Sequence, residues 1–84
     1  MTTKAYVLIE TVIGKSRDVS DTLASIAGIK NVDAVTGQYD IIATVEAPDL
    51  NEVSKIVVDQ IHIISGIMRT VTCLTVEPDQ PNST

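Results

Sequence analysis

Two short stretches concentrate the residues able to hold a small charged molecule. Gly37, Tyr39 and Asp40 stand in TGQYDIIATVE, and Thr70 and Thr72 alternate in RTVT. Asp40 offers a carboxylate and Tyr39 a phenol. A glycine at 37 lets the backbone turn and approach closely. Thr70 and Thr72 share one face of a strand by its two-residue period. Hydroxyls, turn amides and a carboxylate form a set that could meet both the ammonium and the carboxylate of a small amino acid. The plain reading stands beside it: threonine favours strands, and Gly and Asp are common in turns. On that reading Tyr39 seals a strand end; on the ligand reading Asp40, a turn carboxylate, is expected to contribute little to the core.

Other reactive residues are few. His62 is the only histidine, near the end of a helical stretch, and reads as a cap on helix carbonyls or a solvent-facing residue rather than a base. The single Cys73 sits among apolar strand residues and is expected to be a buried, inert thiol. One cysteine allows neither a disulfide framework nor a zinc site nor the Cys-x-x-Cys of a copper chaperone. Gly14-Lys15-Ser16 lacks the glycine spacing of a phosphate loop. Arg17 is close to where an acylphosphatase-like enzyme needs its arginine, but Asn31 falls in the wrong strand for the partner asparagine. No nucleophile–base pair, cofactor motif or metal cluster stands out, so no enzyme activity and no cofactor are expected.

The elements that position these residues repeat. YVLIETV (Tyr6–Val12) and YDIIATV (Tyr39–Val45) nearly superimpose, each precedes a turn and a helical stretch, and the helices end in IAGI and ISGI. Ser16–Ala27 carries one apolar stripe, with Ser16 as its expected N-cap. Leu50–Ile64 carries a wider one, with Asp49 as N-cap and Glu52 completing a capping box. Thr36-Gly37-Gln38-Tyr39 reads as a two-residue type II′ turn joining Lys30–Thr36 to Tyr39–Glu46. The fold class is therefore α+β: a ferredoxin-like βαββαβ sandwich with an antiparallel four-stranded sheet, order 4-1-3-2, and both helices on one face. The domain spans 4–77, and 78–84 reads as a polar, disordered tail.

A sheet covered on one face should alternate apolar and polar residues. Here Tyr6, Leu8 and Val12 share one face while Ala5, Val7 and Ile9 take the other, and Ile42 opposes Ile41 and Ala43. Both faces need cover, and 84 residues leave nothing to supply the second. A second copy is expected there. The net charge of −5, with six scattered basic residues and no Phe or Trp, gives no phosphate-neutralising stripe and no stacking platform. Direct nucleic-acid binding is not expected, nor is a membrane span. The short, Glu10-interrupted N-terminal run does not resemble a signal peptide, which points to the cytoplasm.

Val35-Thr36-Gly37-Gln38-Tyr39-Asp40-Ile41 resembles a V-x-G-x-Y-D-hydrophobic segment. Ile64-x-Gly66-Ile67-x-Arg69-Thr70-x-Thr72 is similar to a G-V-x-x-T-x-T ending. Both belong to the effector-binding (RAM) domain of the leucine-responsive Lrp/AsnC transcriptional regulators, and the similarity runs over Lys4–Glu77. The resemblance implies an amino-acid-sensing domain that dimerises through its sheets and assembles into rings, commonly octamers. It implies effectors bound between dimers, near the turn and the T-x-T strand. Family regulators carry an N-terminal helix-turn-helix, whereas the first strand here begins at about Lys4. A stand-alone effector domain acting with full-length regulators is the expectation. A small dimeric αβ-barrel monooxygenase-type enzyme and a ligand-free structural oligomer remain as alternatives.

Overall fold

The computed structural model describes residues 2–76, so the tail expected at 78–84 lies outside the described residues. Strand β1 (Thr3–Thr11) leads to helix α1 (Ser16–Ala24), then β2 (Ile29–Ala34) and β3 (Ile41–Ala47). Helix α2 (Leu50–Lys55) runs straight into a π-helical segment, Ile56–Ile61, and β4 (Ile67–Leu74) closes the sheet. The strands lie in the order β2-β3-β1-β4, and every neighbouring pair is antiparallel. This is the ferredoxin-like sandwich expected from the repeated strand–helix–strand pattern.

Strand alternation sets the two faces. Ala5, Val7 and Ile9 of β1 pair with Val45, Ala43 and Ile41 of β3, and all six are fully buried under the helices. Val19 and Leu23 of α1, Val53 and Val57 of α2 and the π segment, and Ile61 complete that core. Each buried Val, Leu or Ile among them contributes about 1.5–3 kcal/mol relative to exposure. On the opposite face Tyr6 pairs with Thr44, and Leu8 with Ile42 on one side and Val71 on the other. No helix covers these residues: Tyr6 and Val71 are each 38% exposed, and Leu8 and Ile42 are half-buried. The double-sided apolar pattern is thus real, and its second side lies open in a single chain.

Several local expectations are corrected. Helix α1 ends at Ala24 rather than Ala27, and its N-cap is Lys15, without a side-chain hydrogen bond; Ser16 is already helical. The second helical stretch keeps α geometry only to Lys55. An α-helix advances about 100° per residue, so buried positions four apart drift round it by about 40° each time. The apolar positions Val53, Val57 and Ile61 are spaced this way. The wider π turn, closed by His62 N–H donating to Val57 O at 2.9 Å, offsets that drift and keeps Ile61 fully buried. The β2–β3 connection is also longer than two residues: Val35 N–H donates to Asp40 O at 2.9 Å, so Thr36–Tyr39 form the loop and Tyr39 precedes the strand. Cys73 is exposed, because β4 alternation places it beside Tyr6 on the uncovered face.

Candidate functional site

One end of the sheet gathers the end of β1, the start of β3 and the start of β4. Asp40 enters β3 there, fastened twice to β1. Its N–H donates to Ile9 O at 2.9 Å. Its Oδ2 accepts from Thr11 N–H at 2.8 Å and from the Thr11 hydroxyl at 3.1 Å. Asp40 is half-buried, and Thr11 is one of two buried polar residues among those described. Asp40 is therefore a clasp between strands as well as a turn carboxylate. Among the described residues both side-chain hydrogen bonds fall on Oδ2 and none on Oδ1.

Gly37 lies at the tip of the loop with φ +125°, a conformation L side chains rarely adopt, while a Cβ built there meets nothing within 4 Å. The demand for glycine is thus conformational and not a matter of space. Tyr39 is half-buried between this glycine and Asp40.

Thr70 and Thr72 lie on the other side of β1. Thr70 pairs with Ile9 and Thr72 with Val7, so both hydroxyls point to the helix side. Thr70 Oγ1 lies 3.1 Å from Nε2 of His62, which is exposed and linked to the strand rather than to helix carbonyls. Thr72 borders a groove of about 210 Å³ between α2 and β4, walled by Leu50, Val53, Val57, Val58 and Leu74 with Ser54 as the second hydroxyl. None of the five candidates lines the larger groove of about 520 Å³ between α1 and the segment after the π turn, where Lys15 and Asp18 lie.

The five candidates therefore fall into two groups. Gly37, Tyr39 and Asp40 form one, and Thr70 and Thr72 the other, with β1 between them. Two strand spacings separate the groups by about 10 Å, and Thr72 lies a further two residues, about 7 Å, along β1 from the level of Thr70. The Asp40 side chain reaches across the first of these spacings, since its carboxylate meets Thr11 on β1. Sequence reasoning missed Thr11, which reads as an ordinary strand threonine; only the pairing that brings it to Asp40 reveals its role. Among the described residues no cluster of three His, Cys, Asp or Glu could hold a metal, and no helix is long and apolar enough to cross a membrane.

Residues 4–79 match the family described as the Lrp/AsnC ligand binding domain. An uncharacterised helix-turn-helix-type transcriptional regulator of Pyrococcus furiosus is 36% identical over 59 residues, covering 70% of this chain but 39% of the regulator's own length. A homocitrate synthase of Sulfurisphaera tokodaii is 37% identical over 59 residues, again 70% of this chain, but the match takes in only 13% of that enzyme. Among solved structures, TTHA0845 from Thermus thermophilus superimposes with a TM-score of 0.87 at 28% identity, covering 93% of this chain and 98% of that one. A transcriptional regulator from Neisseria meningitidis, solved in complex with L-Met, shares the fold at a TM-score of 0.81 and 14% identity, over 96% of this chain and 54% of that one. The sandwich is thus that of a regulatory effector domain, and the chain belongs to the Lrp/AsnC family.

Proposed function

We propose that this domain senses a free amino acid and acts as an assembly of copies, in the cytoplasm, on gene regulators of its own family. The observation that carries the reading is the Asp40 carboxylate, fixed by Thr11 through Oδ2 with Oδ1 left to accept. An ammonium group is its natural partner, and hydrogen bonds to charged groups contribute about 1.5–3 kcal/mol each. Amides of the Gly37 turn and the hydroxyls of Thr70 and Thr72 suit a carboxylate. In an assembly of copies, the Asp40 turn of one copy and the Thr70–Thr72 strand of another would meet at one ligand. The Neisseria regulator's complex with L-Met is consistent with such a ligand.

The assembly begins with the helix-free face. Tyr6, Leu8, Ile42 and Val71 would be covered by a second copy, at about 25 cal/mol per Å² of apolar area removed from water. Dimers would then join into a ring, octamer-sized in this reading. DNA contacts would come from helix-turn-helix chains of the Lrp/AsnC type, since the dispersed basic residues here offer no phosphate stripe.

Light scattering together with native mass spectrometry across the common amino acids tests the proposal. Dimers or larger species, with one or a few amino acids retained, are expected. A monomer at micromolar concentration, or no binding at millimolar amino acid, would overturn it.

A further inference from the structure

We infer that Thr11 is the positioning residue of the amino-acid site, holding the Asp40 carboxylate so that Oδ1 faces the ligand's ammonium group. The inference rests on the amino-acid reading above and adds a residue to it. A free carboxylate at the mouth of a loop rotates about its side-chain bonds and spreads its charge over many orientations. Here Thr11 removes that freedom. Its N–H lies 2.8 Å and its hydroxyl 3.1 Å from the same oxygen, Oδ2, so two donors from one residue fix the orientation of the group. Asp40's own N–H is tied to Ile9 O at 2.9 Å, which fixes the backbone beneath it.

The surroundings make Thr11 a firm anchor. It is 7% exposed, and it pairs with Ile67 of β4 where the β1–β4 register shifts between Glu10 and Thr11. A buried hydroxyl at such a position needs a partner, because an unpaired one costs about 1–3 kcal/mol. Valine has nearly the same shape and no such need, so burial alone gives no reason for threonine here. The hydroxyl's recorded partner is Asp40. A group held ready in its bound geometry loses less freedom when ligand arrives, and that difference appears as affinity.

The test uses the whole chain, isothermal calorimetry with the amino acid retained in the mass-spectrometry panel, and thermal unfolding of each variant. Thr11→Val keeps the backbone donor and removes the hydroxyl. Binding is expected to weaken about three- to tenfold. Thr11→Ser, which restores the hydroxyl, is expected to bind within about twofold of the parent. Thr11→Ser should melt close to the parent and Thr11→Val a few degrees lower, as one lost hydrogen bond requires; the amide resonance separates orientation of Asp40 from general loosening. In the unsubstituted protein the Thr11 amide resonance should move on saturation, because the carboxylate that accepts its hydrogen bond gains a further, charged partner at Oδ1. Thr11→Val binding as tightly as the parent, or a Thr11 amide unmoved at saturation, overturns the inference and leaves the amino-acid reading intact. Equal loss of affinity in Thr11→Ser and Thr11→Val, tracking a fall in melting temperature, also overturns it. Absence of binding by the parent protein overturns the amino-acid reading itself, and the inference with it.

Discussion

In the first half of the chain α1 packs over its own outer strand, β2; in the second half the outer strand, β4, receives at most marginal helix contact. β4 is exposed along nearly its whole length, with Met68 62% and Leu74 46% exposed. The halves are otherwise tied reciprocally. Glu46 N–H of β3 donates to Gly28 O at 2.9 Å, and Val12 N–H after β1 donates to Gly66 O at 2.8 Å. Each half thus latches the leading strand of the other. Gly66, at φ +99°, lets this second latch close tightly, since a Cβ there would lie 3.1 Å from Lys15 Cβ and Val19 Cγ2. The comparison separates two demands on one plan. The shared core fixes the fold, while the outer strand that carries Thr70 and Thr72 is left largely exposed.

The largest effects should come from the shared core, and they test whether the π segment packs as firmly as the plain helix. Leu23 of α1 and Ile61 of the π segment are both fully buried. Leu23→Ala and Ile61→Ala are each expected to cost about 2–5 kcal/mol. Urea unfolding followed by circular dichroism, with both variants at one protein concentration so that any self-association is held equal, gives both values. A cost below about 1 kcal/mol for Ile61→Ala alone would show that the second half is loosely packed and break the equivalence.

The next effect probes the clasp by which Asp40 of the second half holds Thr11 of the first. Asp40→Ala strips the Thr11 amide and hydroxyl of their acceptor and should cost about 1–3 kcal/mol before any ligand is considered. Combining it with Thr11→Val should give less than the sum of the two, with a coupling of about 0.5–3 kcal/mol, as for any pair sharing one interaction. Additive losses would mean that the two residues stabilise the fold separately.

The repeat that announced the fold also misled about its details. Tyr6–Val12 and Tyr39–Val45 match in letters, and that match made two strand–helix–strand halves legible. Yet Ile9 faces the core while its lettered counterpart Ile42 lies on the helix-free face opposite Leu8. A one-residue slip turns every side chain over, so letter identity between strands carries no information about facing. The same slip leaves Tyr39 in the loop while Tyr6 sits mid-strand. The strand order was legible because connection length and handedness allow few alternatives. The π turn was not, because Val53, Val57 and Ile61 suit an α stripe equally well on paper. In the candidate site the turn and the threonine strand could be picked out by residue type. Thr11 could not, since it lies 29 residues from Asp40 and nothing local marks it.

The smallest effects compare how the two helices begin. Asp49 has extended backbone angles, φ −153° and ψ 175°, and its Oδ1 accepts from Glu52 N–H at 2.9 Å. The other half of a capping box is absent from the described hydrogen bonds; Glu52 instead lies 3.9 Å from Lys55. At the start of α1, Lys15 has φ −108° and ψ 0° and offers no side-chain acceptor. Its long cationic side chain also does nothing for the positive end of the helix dipole. Asp49→Ala should therefore cost about 1 kcal/mol, within the usual range for losing an N-cap acceptor. Lys15→Ala should change stability by no more than about 0.5 kcal/mol, since it removes an exposed side chain without a capping bond. In a domain of this size the first corresponds to a fall of about 4–8 °C in melting temperature. Calorimetric scans of the two variants side by side make the check. Equal shifts would mean that Lys15 supports α1 by packing, as its stem against Gly66 would allow, and that the two helices start on comparable terms despite their different caps.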